Sequence, residues 1–282
     1  MGTCPFDILY KYYPPKQWDY VFKDNTIRFT PPPDLNDPFE GALQVKYLYS
    51  DEYLRDEFNK IVDRIELDVY NDLIIAEPYE YFKRKAVKLR EHNLEFVKNF
   101  FETHKNMVIR KLYIITNTYG ILSLSECNDN ILMWSHYCMS HTGFLVGLDM
   151  HHDFFQDIDK YGILDKVEYA HELSNETVID IDNTLDLFMK KYDLWKYENE
   201  WRVVISLLNY NKYEWIEGAA LGVTHLPVDA IKSVTFGVNM KNKEGYYSFL
   251  KNDPRYAHLE VFDTILDSSS VALKIIPFAE TL

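Results

Sequence analysis

The sequence predicts an α+β fold with a mixed or antiparallel sheet core and a helical hairpin insertion. Three observations lead to this prediction, and the first two are that β-prone segments recur along the chain and that a long stretch of helical periodicity interrupts them. A third observation is that strands and helices do not alternate regularly, as they would in a doubly wound parallel sheet. We expect one domain over residues 1–282, with the insertion at about 51–110.

The N-terminal part of the chain predicts short strands that end at proline-rich turns. Residues 8–13 and 26–30 are β-prone, and each segment is followed directly by consecutive prolines. Proline cannot donate to a strand ladder, so it marks the ends of these segments. A third strand is predicted at 42–49 after a turn-rich stretch.

The insertion is predicted from a change of period. Apolar residues at three-to-four spacing indicate an amphipathic helix from about residue 51, which Glu77-Pro78 ends because the residue before a proline leaves the helical region. These apolar residues are Leu54, Phe58, Ile61, Ile65, Val69 and Leu73. A second helix with mixed charges follows to about residue 104, and its charges indicate a solvated face.

The second half of the chain returns to strands with two interposed helices. Strands are predicted at 119–126, 143–149, 201–208, 231–238 and 271–276. A short helix over 131–138 is expected to begin with Asn128 or Asp129 as its cap. Another helix is predicted over 183–195.

Composition excludes several classes of function. The net charge of −14 disfavours broad nucleic-acid binding, because phosphate neutralisation needs a basic surface. Three scattered cysteines fit neither a disulfide framework nor a zinc site, so no metal ligands are assigned. We expect a cytoplasmic protein, since the sequence has neither a signal-peptide pattern nor eighteen consecutive apolar residues.

Two clusters of polar residues stand out before the last third of the chain. Asn36 and Asp37 begin a turn-forming run that ends at Glu40. A capped turn with no functional role also explains this run. Trp134 and His136 lie on the short helix, which is apolar on both sides in a helical projection. A helix of that kind is expected to be buried, with His136 between layers or lining a pocket.

A third cluster begins the strand at 201–208. Period-two alternation places Trp201 on an apolar face, whereas Glu198, Glu200 and Arg202 share the other face if the strand begins early enough. Carboxylate and guanidinium groups on one face form either a structural ion pair or a catalytic acid beside an anion-binding arginine. The sequence leaves both interpretations open. We expect Glu200 to be the more ordered and more desolvated of the two glutamates, and the three clusters to converge on one cleft.

The motifs, taken in order, resemble a bacterial family called domain of unknown function 2971. The resemblance extends from about residue 8 to residue 278, and the family name carries no activity. It rests on 9–12, 29–40, 124–126, 133–137, 143–144, 197–202 and 226–237.

A weaker resemblance connects three segments to the ADP-ribosyltransferases. Residues 9–12 are similar to the first strand of those enzymes, 27–30 to their aromatic-Ser/Thr strand, and 200–204 to the strand with the catalytic glutamate. The resemblance implies that NAD is the substrate and that Glu200 and Glu198 are catalytic residues. It implies no other cofactor. Lys11 or Tyr12 stands where those enzymes usually carry His or Arg. The remaining binding residues implied are Tyr10, Thr30, Asn36, Asp37, Ser125, Trp134, His136, Tyr137 and Arg202.

Other functions remain open at this stage. The same pocket would suit a nucleotide-sensing or regulatory binding protein without catalysis. A metal-dependent nuclease or hydrolase using Asp37, Glu40 and Glu200 is a further alternative, because hard cations favour carboxylate oxygens. The expected partner is a small-molecule nucleotide or a macromolecular target, with no membrane, and a role in phage defence or as a toxin is one further expectation.

Overall fold

A computed structural model describes residues 5–37, 118–156, 162–171, 185, 188–208, 213–267, 269–270 and 272–281. The predicted strand at 42–49 and the predicted insertion at 51–110 lie outside these residues. The described part contains three α-helices: α1 (Trp18–Phe22), α2 (Ile131–Tyr137) and α3 (Lys243–Asn252). Its strands are β1 (Ile8–Tyr13), β2 (Thr26–Arg28), β3 (Tyr119–Ser125), β4 (Phe144–Asp149), β5 (Ile163–Lys166), β6 (Glu168–Ala170), β7 (Lys190–Tyr192), β8 (Glu200–Ser206), β9 (Val223–His225), β10 (Ile231–Phe236), β11 (Glu260–Asp267) and β12 (Ala272–Pro277).

Eight of these strands form one large sheet in the order β12-β11-β10-β4-β1-β3-β8-β5. Neighbouring strands are antiparallel except for β10 and β11, which run parallel. Two further pairs, β2 with β9 and β6 with β7, lie outside this sheet. The predicted α+β class therefore agrees with the structure at the level of a large mixed sheet with few helices.

Aromatic and branched side chains pack one face of the sheet. Trp201, Val203 and Ile205 on β8 are buried there together, as the period-two alternation predicts. Trp18 of α1 packs against Phe144 of β4 with ring centroids 5.1 Å apart. Burying each large apolar side chain contributes about 1.5–3 kcal/mol to the free energy of folding, so this face supplies much of the stability of the sheet.

The two central strands, β1 and β3, pair with each other over only a short length. β1 pairs with β3 at Tyr10 and Ser125, and this is the one pair in register between these two fully described strands. Further along β3, Ile121 instead forms reciprocal backbone hydrogen bonds of 2.8 Å with Thr30, in the segment after β2. A gap between β1 and β3 results, and it positions the candidate site.

Two local predictions are wrong. Asn130 caps α2, because its side chain accepts hydrogen bonds from the backbone N–H groups of Leu132 and Met133, whereas Asn128 and Asp129 precede the cap. The helix predicted over 183–195 is not formed at 190–192, which is strand β7 and pairs in parallel with β6. Tertiary pairing overrides helix propensity there, and a 3-10 helix follows at Asp193–Glu198.

The burial predicted for the short helix α2 is also wrong. Met133 and Trp134 are buried, but Ile131 and Leu132 are 44% and 49% exposed, and His136 is exposed. The helix packs along one side only, so its other apolar side faces outward. The expectation that His136 lies between layers or lines a pocket fails for this reason.

Candidate functional site

A cavity of about 260 Å³ lies at the gap between β1 and β3. We call it the glutamate cavity, because two buried glutamates, Glu198 and Glu200, form part of its wall. Residues from β1, β3, β7, β8 and α2 line it. The full lining is Tyr10, Lys11, Tyr12, Thr30, Asp34, Leu35, Asn36, Ser123, Leu124, Met133, Tyr137, Lys191, Glu198 and Glu200.

Glu200 is an ion-paired carboxylate held in a fixed orientation. Its Oε1 accepts a hydrogen bond of 2.8 Å from Nε of Arg202, and its Oε2 accepts bonds of 3.0 Å from Nη2 of Arg202 and from Nζ of Lys191. Burial alone would raise the pKa of Glu200, but the charges of Arg202 and Lys191 and hydrogen bonds from Arg202 and Ser123 lower it to about 2. Glu200 is therefore ionised at neutral pH.

Glu198 is equally buried but has a different electrostatic environment. Its Oε2 accepts a hydrogen bond of 2.6 Å from Lys191, and its Oε1 accepts one from the hydroxyl of Tyr137. Burial raises the pKa of Glu198, the charge of Lys191 lowers it, and the neighbouring Glu200 raises it; the net direction is upward. Two adjacent carboxyl groups with pKa values shifted in opposite directions suit separate roles. Both residues are 3% exposed, so accessible surface does not distinguish Glu200 from Glu198, and the expectation that Glu200 is the more desolvated of the two stays a prediction.

Backbone geometry explains how both carboxylates reach one cavity. Glu198 ends the 3-10 helix rather than beginning the strand, so the assumption of one shared strand face does not hold for it. Asn199 adopts a left-handed conformation with φ of 41°, which turns the chain between the two glutamates. Ser125 fixes this turn, because its Oγ donates a hydrogen bond of 2.6 Å to the carbonyl of Glu198.

Lys191 is the main site residue that sequence reasoning missed. Its ammonium group lies between Glu198 and Glu200, and its side chain is 3% exposed. A buried lysine requires such partners, since an uncompensated buried charge is costly. Nothing in the sequence marks this lysine, because it follows Lys190 in a stretch with a helical pattern.

Lys11 brings a positive charge to the opposite wall. It is half-buried on β1, and its Nζ donates a hydrogen bond of 3.2 Å to the carbonyl of Ser123 across the gap. Burial lowers the pKa of Lys11, partly offset by the charge of Glu200, to about 8. The ammonium is therefore mostly protonated at neutral pH and can attract an anion.

Eight of the thirteen residues singled out in the sequence line the glutamate cavity, and five do not. Arg202 lies behind Glu200, and its Nη1 donates a hydrogen bond of 2.6 Å to the carbonyl of Phe188 rather than contacting the cavity. Asp37, Ser125 and Trp134 are buried outside the lining. His136 is exposed, and its Nδ1 lies 3.0 Å from the hydroxyl of Tyr197.

The nuclease alternative finds little support in the described residues. Among them, no three His, Cys, Asp or Glu side chains lie together in a way that would hold a metal ion. Glu40, one of its three proposed ligands, lies outside these residues. None of the described helices is long and apolar enough to cross a membrane.

Comparison with known proteins gives one family match. Residues 133–203, about a quarter of the chain, match a family described as "Protein of unknown function (DUF2971)". This segment includes Tyr137, Lys191, Glu198 and Glu200, so it covers one wall of the glutamate cavity. No curated protein and no solved structure matches the chain. The match supports the resemblance to that family, whose description assigns no activity.

Proposed function

We propose that the chain is an ADP-ribosyltransferase-like enzyme that uses NAD and that the glutamate cavity is its active site. One observation carries this proposal. Lys11, Thr30 and Glu200 come from the three segments that resemble the elements of those enzymes, and all three line the same cavity. A concave pocket in which polar groups and residues with shifted pKa values converge is the default candidate for a binding or active site.

The charges fit the chemistry of NAD cleavage. When the bond between the ribose carbon and the nicotinamide nitrogen breaks, its electron pair leaves with nicotinamide and positive charge develops on the ribose. A preorganised carboxylate stabilises that charge at no cost of reorganisation. Glu200 suits this task because Arg202 and Lys191 hold it ionised and fixed in orientation.

Glu198 suits a different step of the same reaction. The acceptor that attacks the ribose carbon must lose a proton, and a carboxylate with a raised pKa is a better base than an ordinary one. Glu198 has such a pKa and lines the cavity beside Tyr137. In this proposal Glu198 takes the acceptor proton, whereas Lys11 attracts the phosphates of NAD.

A non-catalytic nucleotide-binding protein is the second candidate. Glu198, Glu200, Lys191 and Arg202 form a buried network in which two negative and two positive groups compensate each other. Such networks also occur as structural elements that specify one packing arrangement. In this candidate the network shapes the pocket, and Lys11 contributes the binding.

Release of nicotinamide from NAD, followed by chromatography, separates the two candidates. We expect the parent protein to release nicotinamide and both Glu200→Gln and Glu198→Gln to slow release by about 100-fold or more. Glu280→Gln, at an exposed position on the C-terminal 3-10 helix, is the matched control and should act like the parent.

Binding of NAD without release would favour the second candidate. If the protein neither binds NAD nor releases nicotinamide from it, both candidates are contradicted. Circular dichroism must show that the variants are folded. If Glu200→Gln unfolds, the Glu200–Arg202 pair has a structural role.

A further inference from the structure

A second, larger cavity of about 650 Å³ adjoins the glutamate cavity. The two share Lys11, Tyr12 and Thr30 in their linings. The larger cavity extends from β1 past β2 to the turn at 218–220. Its volume lies within the range of about 300–1,000 Å³ that is usual for small-molecule sites. None of the functions considered above assigns a role to it.

The two cavities differ in charge. Three acidic residues, Asp34, Glu198 and Glu200, line the glutamate cavity beside two lysines. The lining of the larger cavity contains Lys11 and Arg28 and, among the residues that the structure describes, neither aspartate nor glutamate. The lining therefore carries two cationic groups, of which Arg28 also pairs with Asp34 just outside it, and cationic groups in a concavity attract anionic ligands.

Arg28 is held at this cavity in a defined orientation. Its Nε donates a hydrogen bond of 3.0 Å to the carbonyl of Leu221, and its Nη2 donates one of 2.5 Å to Asp34. A guanidinium carries five N–H donors, so these two contacts orient its plane while using two of them. Oriented guanidinium groups bind phosphate oxygens well because their fork matches two of them at once.

The remaining walls suit a planar ring. Tyr20 lines the cavity and is 59% exposed, so a large part of its side chain is accessible to a ligand. Ala219 and Ala220, in the turn at 218–220, also line the cavity and have small side chains that take up little of its volume. Exposed aromatic rings stack on nucleobases, and such stacking is typical of nucleotide sites.

We infer that the larger cavity binds the phosphate-bearing part of a nucleotide, with Arg28 and Lys11 on the phosphates and Tyr20 against the base. A longer ligand bound there would extend past Lys11 into the glutamate cavity. The inference rests on the proposed function for the choice of a nucleotide. It does not require that the ligand be cleaved.

Calorimetric titration of the full chain with ADP tests the inference, because ADP has a base and two phosphates but no nicotinamide. We expect ADP to bind to the parent protein. Arg28→Met should weaken ADP binding about tenfold or more, because the variant loses a hydrogen bond to a charged phosphate group. Arg255→Met is the matched control, since Arg255 also pairs with an aspartate, Asp253, at the surface. It should leave the affinity unchanged.

A second variant keeps the test decisive if Arg28→Met fails to fold. Ala219 is exposed on a turn, so Ala219→Trp should fold and fill the cavity, whereas Ala257→Trp places the same ring at an exposed position elsewhere. ADP binding should be lost in the first variant and kept in the second. The inference is overturned if ADP does not bind, or if Ala219→Trp or a folded Arg28→Met binds ADP as well as the parent does.

The outcomes separate this inference from the proposed function. ADP binding that depends on Arg28, without nicotinamide release from NAD, would support the larger cavity as a site and contradict the enzyme proposal. Nicotinamide release together with unchanged ADP binding in both cavity variants would support the enzyme proposal and overturn the present inference.

Discussion

Replacing Lys191 with methionine tests whether this lysine holds the two glutamates together. Its ammonium lies 2.6 Å from Oε2 of Glu198 and 3.0 Å from Oε2 of Glu200, and all three side chains are buried. Methionine keeps the apolar stem and removes the charge. Arg202 continues to pair with Glu200, so the unpaired negative charge falls mainly on Glu198.

The expected loss of stability depends on pH. Removing one partner of a buried ion pair costs about 3–5 kcal/mol, which we expect for Lys191→Met at pH 7. Burial already raises the pKa of Glu198 above 4.5, and removing Lys191 raises it further. A carboxyl whose folded pKa exceeds its unfolded value binds protons more tightly in the folded state. The variant should therefore lose stability as the pH rises from 4.5 through this raised pKa, and recover it at lower pH.

Urea unfolding at several pH values measures this effect. Lys166→Met is the control, because its pair with Glu126 is partly exposed and should contribute at most about 1 kcal/mol. In the Lys191→Met background, Glu198→Gln should restore stability at pH 7 and abolish the pH dependence. A cost for Lys191→Met below about 1 kcal/mol that does not change with pH would refute the reasoning.

Three further predictions concern single positions around the site. Burial lowers the pKa of Lys11 to about 8, so NAD affinity in equilibrium titrations should fall as the pH rises through that value; Lys11→Arg should remove the decline. The hydrogen bond from Tyr137 lowers the pKa of Glu198, so Tyr137→Phe should shift its carboxyl titration to higher pH by ¹³C NMR, and an unchanged titration would count against the contact. Asn199 has φ of 41°, so Asn199→Gly should keep stability in urea unfolding, whereas Asn199→Val should lose about 1–2 kcal/mol; equal stability of the two would contradict the backbone argument.

Local periodicity in the sequence predicts the strand faces well. The apolar alternation of Trp201, Val203 and Ile205 places all three in the core, because a strand with one buried face has a strongly specified register. β1 is predicted with its observed bounds, since a β-prone run meets two prolines. These features depend on neighbouring residues, which a single sequence displays directly.

Features that depend on distant contacts could not be predicted. Lys191 lies in the site because β7, which carries it, pairs with β6. This pairing directs the ammonium group of Lys191 toward Glu198 and Glu200, which come later in the sequence. His136 shares a helix with buried residues, yet periodicity alone does not say whether the opposite side meets another element. The cavity itself arises where β1 and β3 stop pairing, which no local pattern reveals.

The central claim is that NAD binds with its nicotinamide riboside in the glutamate cavity. A crystal structure of the Glu200→Gln variant soaked with NAD tests it most directly, since this variant should bind NAD and cleave it slowly. We predict density for the ribose beside Glu198 and residue 200, with a phosphate oxygen within hydrogen-bond distance of Nζ of Lys11. Clear density for NAD at another surface, or an empty cavity at saturating NAD, would contradict the account.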